Sequence, residues 1–242
     1  GQYSPCLLRH DKLNVRTWVH GDDFVGRAPR KQARWLEQHL HQRMDIRVTG
    51  ILGFGPEDQR EVRILNRIVR LMAHEGGYKL EYESDPRHVQ IMLTELGLTG
   101  GRNSVGTPGV KQKLDETTAT ALSVAQAKVY RSCTMRLNYI APDRPETLYA
   151  CKELARKMQD PTVRDWEALK RIGRFFKKHP RVVQVMKYQE APVFMDMFTD
   201  SDHAGCLATR KSTSGGALMY GGVALKCYAS TQSVIATSTG ES

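Results

Sequence analysis

Residues 198–205, with the sequence Phe-Thr-Asp-Ser-Asp-His-Ala-Gly, are followed closely by Arg-Lys-Ser-Thr-Ser-Gly-Gly at residues 210–216. The two stretches predict a short strand that leads into a hairpin. Several metal-dependent nucleases present their first ligand as a carboxylate leaving the end of such a strand, and Asp200 is the candidate here. The alternative is an Asx turn, because aspartate side chains hydrogen-bond to nearby backbone groups in turns. Without further context, the turn is the better explanation.

A second pair of carboxylates, Asp22 and Asp23, is predicted at the tip of another hairpin. Leu13–Val19 has the pattern of a strand, and Phe24-Val25-Gly26 resumes it after the turn. Carboxylate oxygens are hard ligands that suit Mg²⁺. Two such ions, about 3.5–4 Å apart, stabilise the attacking and leaving oxygens of phosphoryl transfer. Aspartate also favours turns without any metal, so the pair alone does not establish a catalytic site.

The rest of the chain predicts both helices and strands, and therefore an α+β fold. Further strands are predicted at residues 61–70, 78–83, 193–199, 215–220 and 223–229. Helices are predicted after Pro29 (with Leu36, Leu40 and Met44 on one face), at Ser84, near residues 119–139, around Pro145 and after Pro161. Residues 99–116 are rich in Gly, Pro and charge, which predicts a linker or an ordered loop.

Basic residues outnumber acidic ones, with 36 Lys and Arg against 26 Asp and Glu and a formal net charge of +10. Such an excess attracts polyanions, among which nucleic acid is the commonest large one in a cell. A solvated basic surface explains the composition equally well. The helix after Pro161 concentrates the charge on one face. The candidate nucleic-acid-binding residues on that face are Lys170, Arg171, Arg174, Lys177 and Lys178.

The remaining composition argues against several classes of protein. No run of about 18 apolar residues is present, so no membrane span and no membrane partner are expected. No secretory signal opens the sequence. Five well-separated cysteines without a CxxC spacing argue against a zinc ribbon and against a complete disulfide framework. A reducing, intracellular compartment, cytoplasmic or nuclear, is therefore expected rather than secretion.

Residues 198–239 closely resemble the opening of the ribonuclease H domain in copia-type retrotransposon polyproteins. In that family an Asp-x-Asp-x-Ala-Gly turn precedes an Arg-Lys-Ser-Thr-Ser-Gly hairpin, a third strand and a Ser-Thr-rich helix start. The matching residues are Asp200–Gly205, Arg210–Gly215 and Ser238-Thr239. The family's connection between polymerase and nuclease is similar to Tyr130-Arg131-Ser132, Tyr139, Arg144-Pro145, Pro161-Thr162 and Trp166–Arg171, and Thr107-Pro108 fits the loop before that connection. Asp22-Asp23 then falls at the position of the polymerase's aspartate pair.

The resemblance implies a fragment of a polyprotein that carries out RNA-directed DNA polymerisation and ribonuclease H cleavage. Its implied parts are the end of a reverse transcriptase palm with a thumb-like part (1–116), a helical connection (117–192) and the first antiparallel strands of a ribonuclease H-like fold (193–242). Mg²⁺ or Mn²⁺ would be held by Asp22, Asp23 and Asp200. The implied partners are RNA, DNA, RNA–DNA hybrid, dNTP and the remaining parts of the polyprotein.

The sequence departs from the family at His20-Gly21, where Tyr and an apolar residue usually precede the aspartates. The other carboxylates of both sites are expected outside these 242 residues. Glu241 is no substitute, because on a helix it would point about 200° away from the family's catalytic Glu. The chain alone is therefore expected to perform neither reaction. The alternatives are a non-enzymatic, basic nucleic-acid-binding remnant, a decayed element without activity, and a metal phosphatase that uses Asp200 and Asp202.

Overall fold

A computed structural model describes residues 4–101, 103–110 and 120–242, and contacts divide the chain into two compact units, residues 1–65 and 66–242. In the first unit the elements are β1 Leu7–His10, β2 Val15–His20, β3 Asp23–Arg27, α1 Arg30–His41 and β4 Glu61–Ile64. In the second unit the helices are α2 Arg87–Glu95, α3 Val124–Ile140, α4 Leu148–Ala155 and α5 Val163–Lys178. Its strands are β5 Arg67–His74, β6 Gly77–Ser84, β7 Gln184–Lys187, β8 Asp196–Asp202, β9 Thr213–Tyr220 and β10 Val223–Thr231.

The first unit is built around a small antiparallel sheet in which β2 lies between β1 and β3. The turn between β2 and β3 begins with Gly21, whose φ of 59° is a left-handed conformation that glycine adopts without steric cost. One face of the sheet is buried, since Val15 and Thr17 are 3% and 5% exposed. A Cβ atom on Gly26 would lie 3.0 Å from the Leu36 side chain. Helix α1 therefore covers this face.

The core of the second unit is formed by α2, α3, α4 and α5. Each helix contributes apolar side chains at helical spacing. The large apolar side chains that are fully buried are Met92, Tyr130, Cys133, Leu137, Ile140, Leu169, Ile172 and Phe176. The one hydroxyl among them is satisfied, because Tyr130 donates to the carbonyl of Leu154 at 2.8 Å. The central helices are thus held together mainly by apolar burial.

Local capping sets where the two longest helices begin. The Ser123 side chain accepts a hydrogen bond from the backbone N–H of Gln126 at the start of α3. At the start of α5, Thr162 and Asp165 form a reciprocal capping box. The N–H and the hydroxyl of Thr162 donate to the Asp165 carboxylate at 2.9 and 2.7 Å. The predicted helix after Pro161 is confirmed.

Two antiparallel arrangements of strands accompany the helices of the second unit. Strand β6 lies between β5 and β7, and β9 lies between β8 and β10. Strand β8 is therefore at an edge of its sheet. Lys152 of α4 donates to the hydroxyls of Thr213 at 2.7 Å and Thr231 at 3.3 Å. This ammonium joins the helical core to β9 and β10.

Most predicted helices and strands are confirmed, but several bounds differ. The predicted strand at 61–70 is wrong as a single element, because Leu65 and Asn66 adopt positive φ values of 46° and 60° between β4 and β5. Helix α1 ends at His41, so Met44 lies beyond it. Strand β7 was not predicted, and it forms by pairing with β6 far away in the sequence.

The C-terminal segment differs most from the prediction. Residues 233–242 form bends and turns, so the expected helix start is wrong. The Glu241 carboxylate instead accepts hydrogen bonds from the N–H and the hydroxyl of Thr237. Helix α3 begins at Val124, whereas the sequence predicted a helix from about residue 119, which lies outside the described residues. Of the loop predicted at residues 99–116, residue 102 and residues 111–116 also lie outside the described residues.

The predicted divisions at 116/117 and 192/193 concern segments of a polyprotein, whereas the division at 65/66 describes contacts within the folded chain. The described residues combine α helices with antiparallel strands. That these are parts of reverse transcriptase and ribonuclease H folds stays a prediction.

Replacing Leu169 by Ala is expected to lower the free energy of unfolding by about 2–5 kcal/mol, because this fully buried side chain would leave a cavity among the core helices. Urea denaturation followed by circular dichroism measures the change. Val193→Ala is the control, since Val193 is 87% exposed and its truncation should change stability by no more than about 0.5 kcal/mol. Equal effects of the two substitutions would contradict this description of the core.

Candidate functional site

Asp22 and Asp23 lie together at an exposed hairpin tip, as predicted. Asp22 occupies the turn, and Asp23 begins β3 directly opposite His20 of β2. In the described part of the chain, no three or more His, Cys, Asp or Glu side chains are grouped so that they could hold a metal ion. The structure therefore places two candidate metal ligands side by side, and no third ligand lies near them among the described residues.

Asp200 lies inside β8, opposite Gly215 of β9, and its side chain is exposed. The prediction that it leaves the end of a strand is wrong, because β8 continues to Asp202. Within residues 120–242 and the other described ranges, the Asp200 carboxylate makes no hydrogen bond or ion pair. It therefore points from an edge strand into solvent with its charge uncompensated.

Asp202 has a structural role that distinguishes it from Asp200. Its carboxylate accepts a hydrogen bond from the backbone N–H of Thr213, across the hairpin. The following turn approaches it so closely that a Cβ atom on Gly205 would collide with the carboxylate of Asp202. A larger residue at this position would therefore force the Asp202 side chain to shift. The metal phosphatase alternative, which uses both aspartates, is disfavoured because Asp202 already holds the turn.

The basic face of α5 binds a neighbouring segment of the chain. Lys177 donates to the carbonyls of Gly100 and Gly101 at 2.6 and 2.8 Å. Arg171 donates to the hydroxyl of Thr107 at 2.7 Å. These contacts fix the segment that follows α2 against α5. Two of the five predicted nucleic-acid-binding side chains thus have partners within the protein.

The other three basic side chains of this face are less strongly held. Lys170 and Arg174 lie 3.6 and 3.5 Å from the carboxylate of Glu167, and these contacts are solvent-accessible. Exposed ion pairs contribute little to stability, about 0–1 kcal/mol. Lys178 lies in the last turn of α5, where a cation interacts favourably with the helix dipole. Binding of nucleic acid by this face stays a prediction.

A cleft of about 710 Å³ between α4, α5 and residues 205–208 was not predicted from the sequence. Cys206 lies in its wall, and both terminal guanidinium nitrogens of Arg156 are 3.6 Å from its sulfur. Burial alone would raise the pKa of this thiol, but hydrogen bonds from Thr209 and Arg156 outweigh burial and lower it to about 7. No sequence pattern predicts the contact between Cys206 and Arg156, because the two residues are 50 positions apart.

The buried cysteines behave in the opposite way. Burial raises the pKa of Cys133 to about 12 and that of Cys151 to about 11, and the nearby Glu95 carboxylate adds to the rise at Cys133. Both thiols therefore remain protonated at neutral pH and form part of the core between α3 and α4.

Comparison with known proteins found a similar plant protein. Over 150 residues the chain is 28% identical to the uncharacterized mitochondrial protein AtMg00810 of Arabidopsis thaliana. The match includes 61% of this chain, and it spans 58% of that protein's length. No protein-family model and no solved structure matches the chain. In the described residues, no α helix is both long and apolar enough to cross a lipid bilayer.

Cys206 is expected to be alkylated by iodoacetamide with a rate that reaches half its maximum near pH 7, because the thiolate is the reactive form. Arg156→Gln should raise the pKa of the thiol. A rise of one unit would slow the reaction about fivefold at pH 7. Peptide mass spectrometry after timed labelling resolves Cys206 from the other cysteines.

Arg174→Gln is the control for this experiment, because Arg174 lines the same cleft but pairs with Glu167 rather than with the thiol. An unchanged pH profile in Arg156→Gln would show that this arginine does not stabilise the thiolate. Cys133 and Cys151 should remain unlabelled until the protein is unfolded.

Proposed function

We propose that this chain is part of a copia-type retrotransposon polyprotein, with a portion of the reverse transcriptase palm and thumb, the connection, and the first strands of the ribonuclease H domain. The order of matching landmarks along the sequence carries the proposal. The likeness to the Arabidopsis mitochondrial protein supports a retrotransposon-related origin. Because the match spans little more than half of that relative, the activities of the whole polyprotein are inferred from the residues below.

For polymerisation, the supporting observation is the exposed pair Asp22 and Asp23 at the β2–β3 turn. The pair fits a divalent metal ion in its donor chemistry, because adjacent carboxylates are hard oxygen ligands. Asp22 and Asp23 would hold the ions together with carboxylates supplied by the rest of the polyprotein. When bound, such ions neutralise phosphate charge and activate the primer hydroxyl. The tight turn at Gly21 keeps both side chains at the tip, where a nucleic acid strand can reach them.

For hybrid cleavage, the supporting observation is the different use of Asp200 and Asp202. Asp202 stabilises the hairpin, whereas Asp200 presents an uncompensated carboxylate from the edge of the same sheet. The half-buried Asp202 fixes the strand through its hydrogen bond to Thr213, and a ligand on a fixed strand is held in a defined position. Asp200 is therefore suited to be one ligand of a metal site that needs further carboxylates from elsewhere. A bound ion there would activate water against an RNA phosphodiester.

The two activities are expected to separate by substitution in the longer polyprotein. Replacing Asp22 and Asp23 by Asn should lower primer extension by about 100-fold or more and leave hybrid cleavage unchanged. Substitution of a residue that only hydrogen-bonds to a metal ligand already lowers activity by about 10- to 100-fold, and loss of the ligands themselves should lower it further. Asp200→Asn should have the reverse effect. Primer extension on an RNA template and cleavage of a labelled RNA–DNA hybrid are measured in parallel with Mg²⁺.

Asp160→Asn is the control, because Asp160 is also exposed and lies outside both groups. The 242-residue chain by itself should show neither activity, since it supplies only part of each ligand set. Loss of both activities in Asp200→Asn, or no loss in the double variant, would contradict the proposed roles.

A further inference from the structure

The register of the first sheet places three arginines side by side. Arg9 of β1 pairs with Arg16 of β2, and Arg16 pairs with Arg27 of β3. Residues that are directly opposite in antiparallel strands project from the same face, with Cβ atoms about 4.5–5.5 Å apart. The three guanidinium groups therefore form an arginine row across the whole width of the sheet.

This row lies on the open face of the sheet. The opposite face carries Val15 and Thr17, which are buried beneath α1. All three members of the arginine row are exposed. Side chains alternate between faces along a strand, so the burial of one face directs the arginines into solvent on the other.

The charge of the row is largely uncompensated within the first unit. Arg9 forms an ion pair with Asp11. Arg16 and Arg27 have no acidic partner among residues 4–65, which are described without a gap. Asp23 projects from the same face, but it lies four residues from Arg27 along β3. At 3.4 Å per residue this separation is about 14 Å. That exceeds the screening length of about 8 Å at physiological salt.

An arginine row of this kind opposes folding of its own sheet. Like charges placed directly opposite each other on neighbouring strands are destabilising. A polyanion that lies across the row removes the repulsion, and arginine's planar fork matches the oxygens of a phosphate. The electrostatics of the face are therefore complementary to a chain of phosphates.

An exposed aromatic ring lies next to the row on the same face. Trp18 is two residues from Arg16 along β2, lies between Leu7 and Val25 in the register, and is 38% exposed. The His20 ring follows it at a centroid distance of 5.7 Å. An aromatic ring on an open sheet can stack on a nucleotide base only if that base is free of a partner strand.

From these observations we infer that the open face of β1, β2 and β3 binds single-stranded nucleic acid. The arginine row contacts the phosphates, and Trp18 stacks on a base. This binding needs no metal ion and rests on the first unit alone, so it goes beyond the two proposed reactions. It also differs from the α5 face, where Lys177 and Arg171 are engaged with Gly100, Gly101 and Thr107.

The test is fluorescence anisotropy of the full chain with fluorescein-labelled oligothymidylate and oligouridylate, in EDTA, over a series of salt concentrations. Arg16→Gln should reduce the slope of log affinity against log salt by about 0.7, as expected for one lost phosphate contact on a single strand. Trp18→Leu should weaken binding by about 5- to 100-fold without changing that slope, because stacking releases no counterions. EDTA keeps the result independent of both metal reactions.

Arg47→Gln is the control for charge, since Arg47 is exposed in the same unit but outside the three strands. If it changes the slope as much as Arg16→Gln does, binding belongs to a diffuse positive surface and the inference is wrong. It is also wrong if Trp18→Leu binds like the unsubstituted chain, or if a duplex competitor binds as tightly as the single strands.

Arg16→Glu separates binding from folding. A carboxylate between Arg9 and Arg27 replaces two repulsions by two attractions, so the melting temperature should stay the same or rise. Binding should nevertheless fall further than in Arg16→Gln, because the new charge repels phosphate. A variant that melts lower than the unsubstituted chain would contradict the deduced geometry of the row.

Discussion

The second unit depends on a buried arginine whose charge must be fully compensated. Arg144 is 1% exposed, donates to the Glu146 carboxylate at 2.6 Å and to the carbonyl of His179 at 2.8 Å, and lies 4.7 Å from the centre of the Phe176 ring. A buried charge that loses its partners costs several kcal/mol. Since these partners come from the segment before α4 and from the end of α5, the arginine is satisfied only when both are in place. It therefore specifies how the two helices meet.

Buried carboxylates connect the helices to the neighbouring strands in a similar way. Asp143, next to Arg144, accepts hydrogen bonds from Arg67 at 3.1 Å and from the Tyr82 hydroxyl at 3.0 Å. Glu83 of β6 is 3% exposed and accepts two hydrogen bonds from Arg181, each of 2.8 Å. Asp143 and Glu83 thus each pair with an arginine that is distant in the sequence. These pairs explain why residues 66–242 form one compact unit, although the resemblance assigns them to three parts of a polyprotein.

Sequence reasoning succeeded where the signal is local. The period of apolar residues identified α2, α4 and α5, and Gly21 with two aspartates marked the hairpin tip that the structure contains. It failed where a partner is distant. Strand β7, the cleft at Cys206 and the ammonium of Lys152 all depend on residues far away in the chain. Residues 233–242 lack an apolar stripe to pack, so the resemblance alone indicated a helix there.

The composition shows that the chain is basic, but the register of the strands is needed to find where the positive charges come together. A helix displays its basic face in the sequence, and so the sequence directed attention to α5, where Arg171 and Lys177 have partners in the same chain. The row of Arg9, Arg16 and Arg27 has no sequence signal, because it exists only when three strands pair in one register. A shift of one residue would move each arginine to the opposite face. Burial of the other face beneath α1 prevents that shift. The hydrophobic contact that stabilises the first unit therefore also aligns the charges on its open side.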